Sequence, residues 1–334
     1  ERRAVCEQLS SGAARVVVGT HAVFQDDVSY HNLGLVVVDE QHRFGVAQRL
    51  ALREKGQREG SAPHQIIMSA TPIPRSLTMV MYADMDLSVI DEMPPGRQPV
   101  ETVVLPNTRR EDVQARIREA CARERRAYWV CPLIEDSDVL AVQAATSRAE
   151  ALKSELPELR IALLHGKIPS AQKDEIMDDF RQGRVDVLVA TTVIEVGVDV
   201  PEASLMVIEN AERLGLSQLH QLRGRVGRGD QKSVCVLMYQ PPLGHNAKER
   251  LATMRQSTDG FAIAQKDLEL RGPGELLGVR QSGAPQSRIA DLARDRALLP
   301  AVQHGAVRLL RDYPKKAEPL IARWVREGLS FSNA

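Results

Sequence analysis

The chain alternates short apolar runs with longer stretches whose apolar residues recur at helical spacing. From Ala14 to Ile90 the runs are Arg15 to Val18, Leu33 to Val38 and Gln65 to Met68, each bounded by polar or turn-forming residues. Runs that are apolar throughout, rather than at alternate positions, suit strands of a parallel sheet buried on both faces. The segment Met93-Pro94-Pro95-Gly96-Arg97-Gln98-Pro99 interrupts this rhythm, because three prolines and a glycine in seven residues continue neither a helix nor a central strand. A domain boundary is expected there. The rhythm resumes with Val103 to Leu105, Ala127 to Cys131, Arg160 to Leu164, Val185 to Ala190, Leu205 to Glu209 and Ser233 to Tyr239, separated by charged helical segments such as Arg110 to Arg125. This repetition predicts a second doubly wound sheet. Beyond Pro241-Pro242 the strand signals cease. Asn246 to Ile263 and Ala290 to Val325 carry helical spacing, with a glycine-rich, charged loop expected from Gln265 to Gly283. The predicted class is α/β: two parallel-sheet units over 1–95 and 96–242, then a mostly helical region over 243–334.

Composition narrows the picture only a little. The chain has 334 residues, enough at roughly 100–200 residues per domain for two or three units with cores of their own. No apolar run approaches the roughly 18 residues that span a bilayer, so a membrane partner is not expected. Lysine plus arginine equal aspartate plus glutamate, and a net charge of zero makes any case for a nucleic-acid partner a local one. Cys6, Cys121, Cys131 and Cys235 are scattered, with no CxxC pair, and read as reduced cytosolic thiols rather than zinc ligands or disulfides. Glu1 to Leu9 reads as the last turns of a helix already under way, with no initiator methionine, which makes truncation at this end an expectation.

The candidate chemistry lies at the ends of the apolar runs. Leu35 to Val38 leads directly into Asp39-Glu40-Gln41-His42, delivering two acids at the carboxyl end of a strand, where open α/β sheets bind ligands. In phosphoryl transfer the first acid would hold the water shell of Mg²⁺ and the second would orient the attacking water; a solvated acidic turn is the plainer alternative. Ser69-Ala70-Thr71-Pro72 follows the next run, with hydroxyls able to report on the acids or simply to cap a helix. The most restrictive string is Gln221-Leu222-Arg223-Gly224-Arg225-Val226-Gly227-Arg228, whose arginines fork onto phosphate oxygens while its glycines permit close backbone approach. Ahead of it, Val187 to Ala190 ends in Thr191-Thr192, a phosphate cradle or a cap, followed by Gly197 and Asp199. Gly19-Thr20-His21 and His165-Gly166 occupy further strand-end positions.

Together these strings resemble the superfamily 2 helicases, and within them the RecG family of branch-migration helicases. The resemblance extends over essentially the whole chain, and it implies two RecA-like units. It casts Asp39, Glu40, Gln41 and His42 as the Walker B box, with Asp39 and Glu40 at the metal, and Ser69, Ala70 and Thr71 as the box coupling hydrolysis to nucleic acid. Arg225 and Arg228 become arginine fingers for ATP, with Gln221, Gly197 and Asp199 facing the nucleotide. Gly19, Thr20, His21, His165, Gly166, Thr191 and Thr192 become contacts to the tracked DNA strand. Arg250 to Gly283 resembles a translocation motif shared with the transcription-repair coupling factor, and Arg255, Asp267, Glu269, Arg271 and Gln281 are its candidate lever. The terminal Gln-His of the first box, in place of Glu-His, and the run from Val193 to Arg228 favour the RecG family. The implied cofactors are ATP and Mg²⁺. The implied partners are branched double-stranded DNA and a single-stranded-DNA-binding protein, for a bacterial monomer in the cytoplasm associated with the nucleoid. The sequence contains no G-x-x-x-x-G-K-[ST] phosphate loop, so the complete protein is expected to carry the ATPase and this stretch alone is not.

Overall fold

The computed structural model describes residues 2–40, 55–56, 62–70, 86–132, 138–191, 200–229, 231–271, 286–287 and 295–326. The chain divides into two units, Asp84–Leu270 and a second made of Glu1–Ala83 with Arg271–Ala334.

In the discontinuous unit, helix α1 (Arg2–Ser11) precedes strands β1 (Leu35–Val38) and β2 (His64–Ile67). The strands pair in parallel, Leu35 with His64 through Val38 with Ile67. Val36 and Val38 are buried against Phe24 and Leu33, but Leu35 and Val37 are each 53% exposed, so among the described residues this pair of strands is covered on one face and not on both as expected. Arg15 to Val18 departs from expectation. It forms no strand among the described residues, and Val16 and Val18 are 81% and 93% exposed. An apolar run becomes a strand only where a neighbour takes up its N–H and C=O groups, and the described residues supply none.

In Asp84–Leu270, β3 (Glu101–Pro106), α2 (Arg110–Cys121), β4 (Arg126–Val130), α3 (Asp138–Glu155), β5 (Ile161–Leu164), α4 (Ser170–Arg181), β6 (Val187–Ala190), β7 (Ala203–Ile208), α5 (Leu216–Arg223) and β8 (Val234–Tyr239) follow in turn. They build a six-stranded sheet of order β3-β8-β7-β4-β6-β5 in which every pairing is parallel. The two-residue period of the strands divides the core. Tyr128, Val130, Leu188 and Ala190 face one layer with Phe180, while Ala127, Trp129, Val187 and Val189 face the other with Ile117 and Leu152. Helix α2 begins with Glu111 and Asp112 and carries Arg118 in its last turn, matching the helix dipole at both ends.

Two further helices, α6 (His245–Gln256) and α7 (Gly260–Arg271), complete this unit, burying Leu251, Met254 and Ile263 in the first layer. The single helical stretch expected over 246–263 is broken at Ser257-Thr258-Asp259, because the Asp259 carboxylate accepts the Phe261 N–H at 2.8 Å and starts a new helix. That cap also carries the helix through Gln265 to Arg271, where a loop is expected. Ile263 and Leu268 are buried, and the glycines that suggest a loop begin only at Gly272. The chain then contributes a short antiparallel pair, β9 (Gln286–Ser287) with β10 (Val325–Arg326), and helices α8 (Leu299–Asp312) and α9 (Ala317–Trp324). Among the described residues no helix is long and apolar enough to cross a membrane.

The Phe180 side chain on α4 is fully buried, with its ring centroid 4.9 Å from that of Tyr128. Phe180→Ala is expected to cost about 3–5 kcal/mol of stability in urea titration; an unchanged midpoint would show that α4 does not depend on this anchor.

Candidate functional site

Asp39 and Glu40 stand immediately after β1, and Ser69 and Ala70 follow β2 with only Met68 between. The ladder extends past the strands, with Met68 N–H donating to Val38 C=O at 2.8 Å, so the two boxes emerge side by side at the same sheet edge. Glu40 adopts φ 52°, the left-handed region that costs a residue with a side chain about 1–2 kcal/mol. Its N–H donates to Asp39 Oδ1 at 2.8 Å, which turns the chain sharply and fixes one carboxylate oxygen. Gln41, His42 and Thr71 lie outside the described residues. Gly19, Thr20 and His21 are exposed, and Thr20 begins a single turn, His21–Phe24, in which the His21 and Phe24 rings sit 5.3 Å apart.

Four strand ends converge in the six-stranded sheet. His165 and Thr191 follow β5 and β6, whose last residues Leu164 and Ala190 are in register, and Thr191 N–H donates to Leu164 C=O at 3.3 Å. Thr191 is buried while His165 and Gly166 are more open, and burial with nearby Lys173 and Lys167 lowers the His165 pKa. Beside them stand Cys131 and Glu209, after β4 and β7. Glu209 is an unanticipated member of this group. Its carboxylate lies 3.2 Å from Arg110 at the start of α2 and 3.0 Å from Arg148 within α3, tying two helices to the strand end. Burial and the adjacent Glu209 push the Cys131 thiol well up, so it is neutral and unreactive. The only sequence signal for Glu209 is an acid ending an apolar run. Thr192, Gly197 and Asp199 lie outside the described residues.

The arginine string folds as the end of α5 and a tight loop. Leu216, Leu219 and Leu222 anchor the helix, Gln221 and Arg225 are half-buried, and Arg228 is exposed. Gly227 adopts φ +74°, and a Cβ there would lie 2.6 Å from Val100 Cγ2. A side chain is therefore excluded both by conformation and by space. Two arginines that sequence reasoning missed hold this loop. Arg97, from the proline-rich segment, donates to Gly227 C=O at 3.1 Å and Gly224 C=O at 3.4 Å. Arg223 points the opposite way, into the protein, and is buried. Flanked by two other arginines in the string, it carries no sequence mark of its own.

The lever candidates fall on the α6–α7 hairpin and beyond it. Asp267 is buried and accepts the Ser217 hydroxyl at 3.2 Å, joining α7 to α5. Glu269 accepts Gln265 at 3.3 Å, and Lys266 reaches Glu249 at 3.5 Å across the hairpin. Arg255 lies in the last turn of α6 and Arg271 ends α7. Gln281 lies outside the described residues.

This arrangement has counterparts among known proteins. Residues 1–80 match the DEAD/DEAH box helicase family, 112–230 the helicase conserved C-terminal domain, and 257–327 the family described as ATP-dependent DNA helicase RecG, domain 3, C-terminal. ATP-dependent DNA helicase RecG of Escherichia coli O127:H6 is 59% identical over 334 residues, spanning 100% of this chain and 48% of that relative. Over its whole length the chain is similar to the RecG helicases. The Aquifex aeolicus RecG is 48% identical over 94% of this chain and 40% of its own length. A structure of RecG bound to a three-way DNA junction superposes with a TM-score of 0.66 at 45% identity, covering 89% of this chain and 38% of that one. The chain thus spans about half the length of the curated RecG relatives it matches. The RecG-specific match begins at Ser257, in the break between α6 and α7.

Two predictions follow from the arginine loop. Gly227→Ala is expected to destabilise the protein by roughly 1–3 kcal/mol, the cost of strained backbone plus overpacking, in thermal unfolding; a neutral result would mean that the loop relaxes freely. Burial and then Arg223 lower the His220 pKa to about 4 from 6.5, against an opposing effect of Asp259 that outweighs the further lowering by Arg97. The unfolded chain therefore binds a proton as pH falls through 6.5 while the folded chain resists until about 4, so stability is full above this window and declines within it. Urea midpoints from pH 7.5 to 4 should fall less steeply in His220→Asn than in the parent, and parallel profiles would remove His220 from this role.

Proposed function

We propose that the protein containing this chain is an ATP-dependent translocase on double-stranded DNA that regresses forks and migrates branched junctions. The observation that carries this reading is the parallel register placing Asp39-Glu40 beside Ser69-Ala70 at one sheet edge, in a chain that also holds a glycine-shaped arginine loop. ATP and Mg²⁺ fit the side chains present. Asp39 and Glu40 stand together after β1, and Mg²⁺ commonly keeps most of its waters and takes one or two carboxylates. Asp39 would hold that water shell, and Mg²⁺ would neutralise phosphate charge. Glu40 orients the attacking water, with Gln41 and His42 completing the box, and Ser69, Ala70 and Thr71 pass its state to the nucleic-acid contacts. Arg225 and Arg228 supply charge to the transferring phosphate, and Gln221, Gly197 and Asp199 face the nucleotide. Gly19, Thr20, His21, His165, Gly166, Thr191 and Thr192 offer backbone amides, hydroxyls and imidazoles to DNA phosphates, a contact set that reads no sequence. Arg255, Asp267, Glu269, Arg271 and Gln281 form the lever. The protein works as a monomer in the bacterial cytoplasm, near the nucleoid, with a single-stranded-DNA-binding protein as an additional partner.

The test is ATP hydrolysis by the complete protein with and without a forked duplex, beside its Arg228→Ala variant. Hydrolysis should rise with the fork, and the variant should lose at least about a hundredfold in kcat, given that such arginines contribute 10³–10⁵. DNA-independent hydrolysis, or a variant with parent-like kcat, would overturn the assignment.

A further inference from the structure

Arg223 turns into the protein, away from the loop that follows it, and its surroundings are unusual for a charge. It is 4% exposed. Nη1 donates to the carbonyls of Ser257 at 2.8 Å and Met254 at 3.1 Å and to Thr102 Oγ1 at 3.4 Å. Nη2 reaches Thr258 C=O at 3.4 Å and lies 3.0 Å from His220 Nδ1. None of these partners is a carboxylate. A buried cation solvated by neutral groups alone gains less than an ion pair would, so stability by itself gives little reason to prefer it to an apolar residue.

What the position gains is connection. Arg223 is the last residue of α5, directly before Gly224-Arg225. The carbonyls it gathers belong to the last turn of α6 and to the break before α7, groups that lack helical partners and favour a cation. The planar guanidinium presents its donors in a fixed fork, so the end of α5 and the α6–α7 break are held in one geometry. Other struts hold the helices on either side of this break. Asp267 bonds Ser217, and Arg250 donates to Glu212 C=O at 2.6 Å, fixing both helices of the hairpin to the same unit away from the break. The RecG-specific portion of the chain starts at Ser257, one of the carbonyls held.

We infer that Arg223 is a positioning residue that clamps the hinge between α6 and α7 to the helix carrying the arginine loop, so that movement of the loop during ATP turnover is delivered to the hairpin. The inference rests on the translocase reading above. It separates Arg223 from Arg225 and Arg228: those act on the nucleotide, whereas Arg223 touches neither nucleotide nor DNA and sets the yield of movement per ATP.

The experiment uses the complete protein with Arg223→Gln and Arg223→Lys, measuring fork-stimulated ATPase, displacement of a triplex-forming strand from duplex, and thermal midpoint. Expected for Arg223→Gln is hydrolysis within about threefold of the parent and strand displacement down at least tenfold, a change in moves per ATP that general loosening would not produce. Arg223→Lys keeps the charge and fewer donors and should fall between. If Arg223→Gln does not fold, Arg223→Lys is decisive: a lower displacement per ATP supports the clamp, and a parent-like ratio overturns it. Hydrolysis and displacement falling in proportion would overturn it for either variant. A parent protein that hydrolyses ATP with forks yet displaces no strand would instead overturn the translocase reading.

Discussion

A parallel sheet buried on both faces has no room for polar chemistry along its strands, and this constraint organises the whole site. In β4, β6 and β7 nearly every side chain is buried, so the first polar residue after each strand stands at its carboxyl end. Within each sheet, parallel pairing sets those ends at one edge. Thr191 beside His165, Glu209 beside Cys131, and Asp39-Glu40 beside Ser69 all follow from register alone. The same constraint brings the Arg110–Glu209–Arg148 cluster to the strand ends, where two arginines share one buried carboxylate and brace the helices that leave the sheet.

The arginine loop obeys a second constraint, that a loop presenting cations outward must be held from behind. Arg97 grips its carbonyls from the proline-rich segment, Val100 fills the space that a side chain at Gly227 would need, and Arg223 anchors the preceding helix inward. The proline-rich segment therefore does more than separate domains. Its stiffness keeps Arg97 and Val100 in place, and the arginine string cannot be understood apart from it.

Much of this was legible beforehand. Eight of the nine apolar runs became parallel strands because an all-apolar stretch of four to six residues between turns has few other ways to be buried. That Asp39 and Ser69 stand at strand ends was legible because each directly follows an apolar run. Arg15 to Val18 misled because apolarity signals burial without naming the neighbour that would supply it. Gln265 to Arg271 misled because the glycines and charges that follow it coloured a stretch whose own buried residues, Ile263 and Leu268, continue a helix.

By itself, then, the sequence determined the parallel α/β class and the positions of eight strands, which rest on local periodicity. Only the tertiary structure decided which strand ends are neighbours, which arginine of the string faces inward, and that Arg97, Glu209 and Arg223 belong to the site at all. Apart from His220, three residues before Arg223, the partners of their side chains lie 31 to 130 residues away in the chain. A charged side chain looks the same in sequence whether it meets water or the carbonyls of a distant helix, and the difference arises only when the chain closes around it.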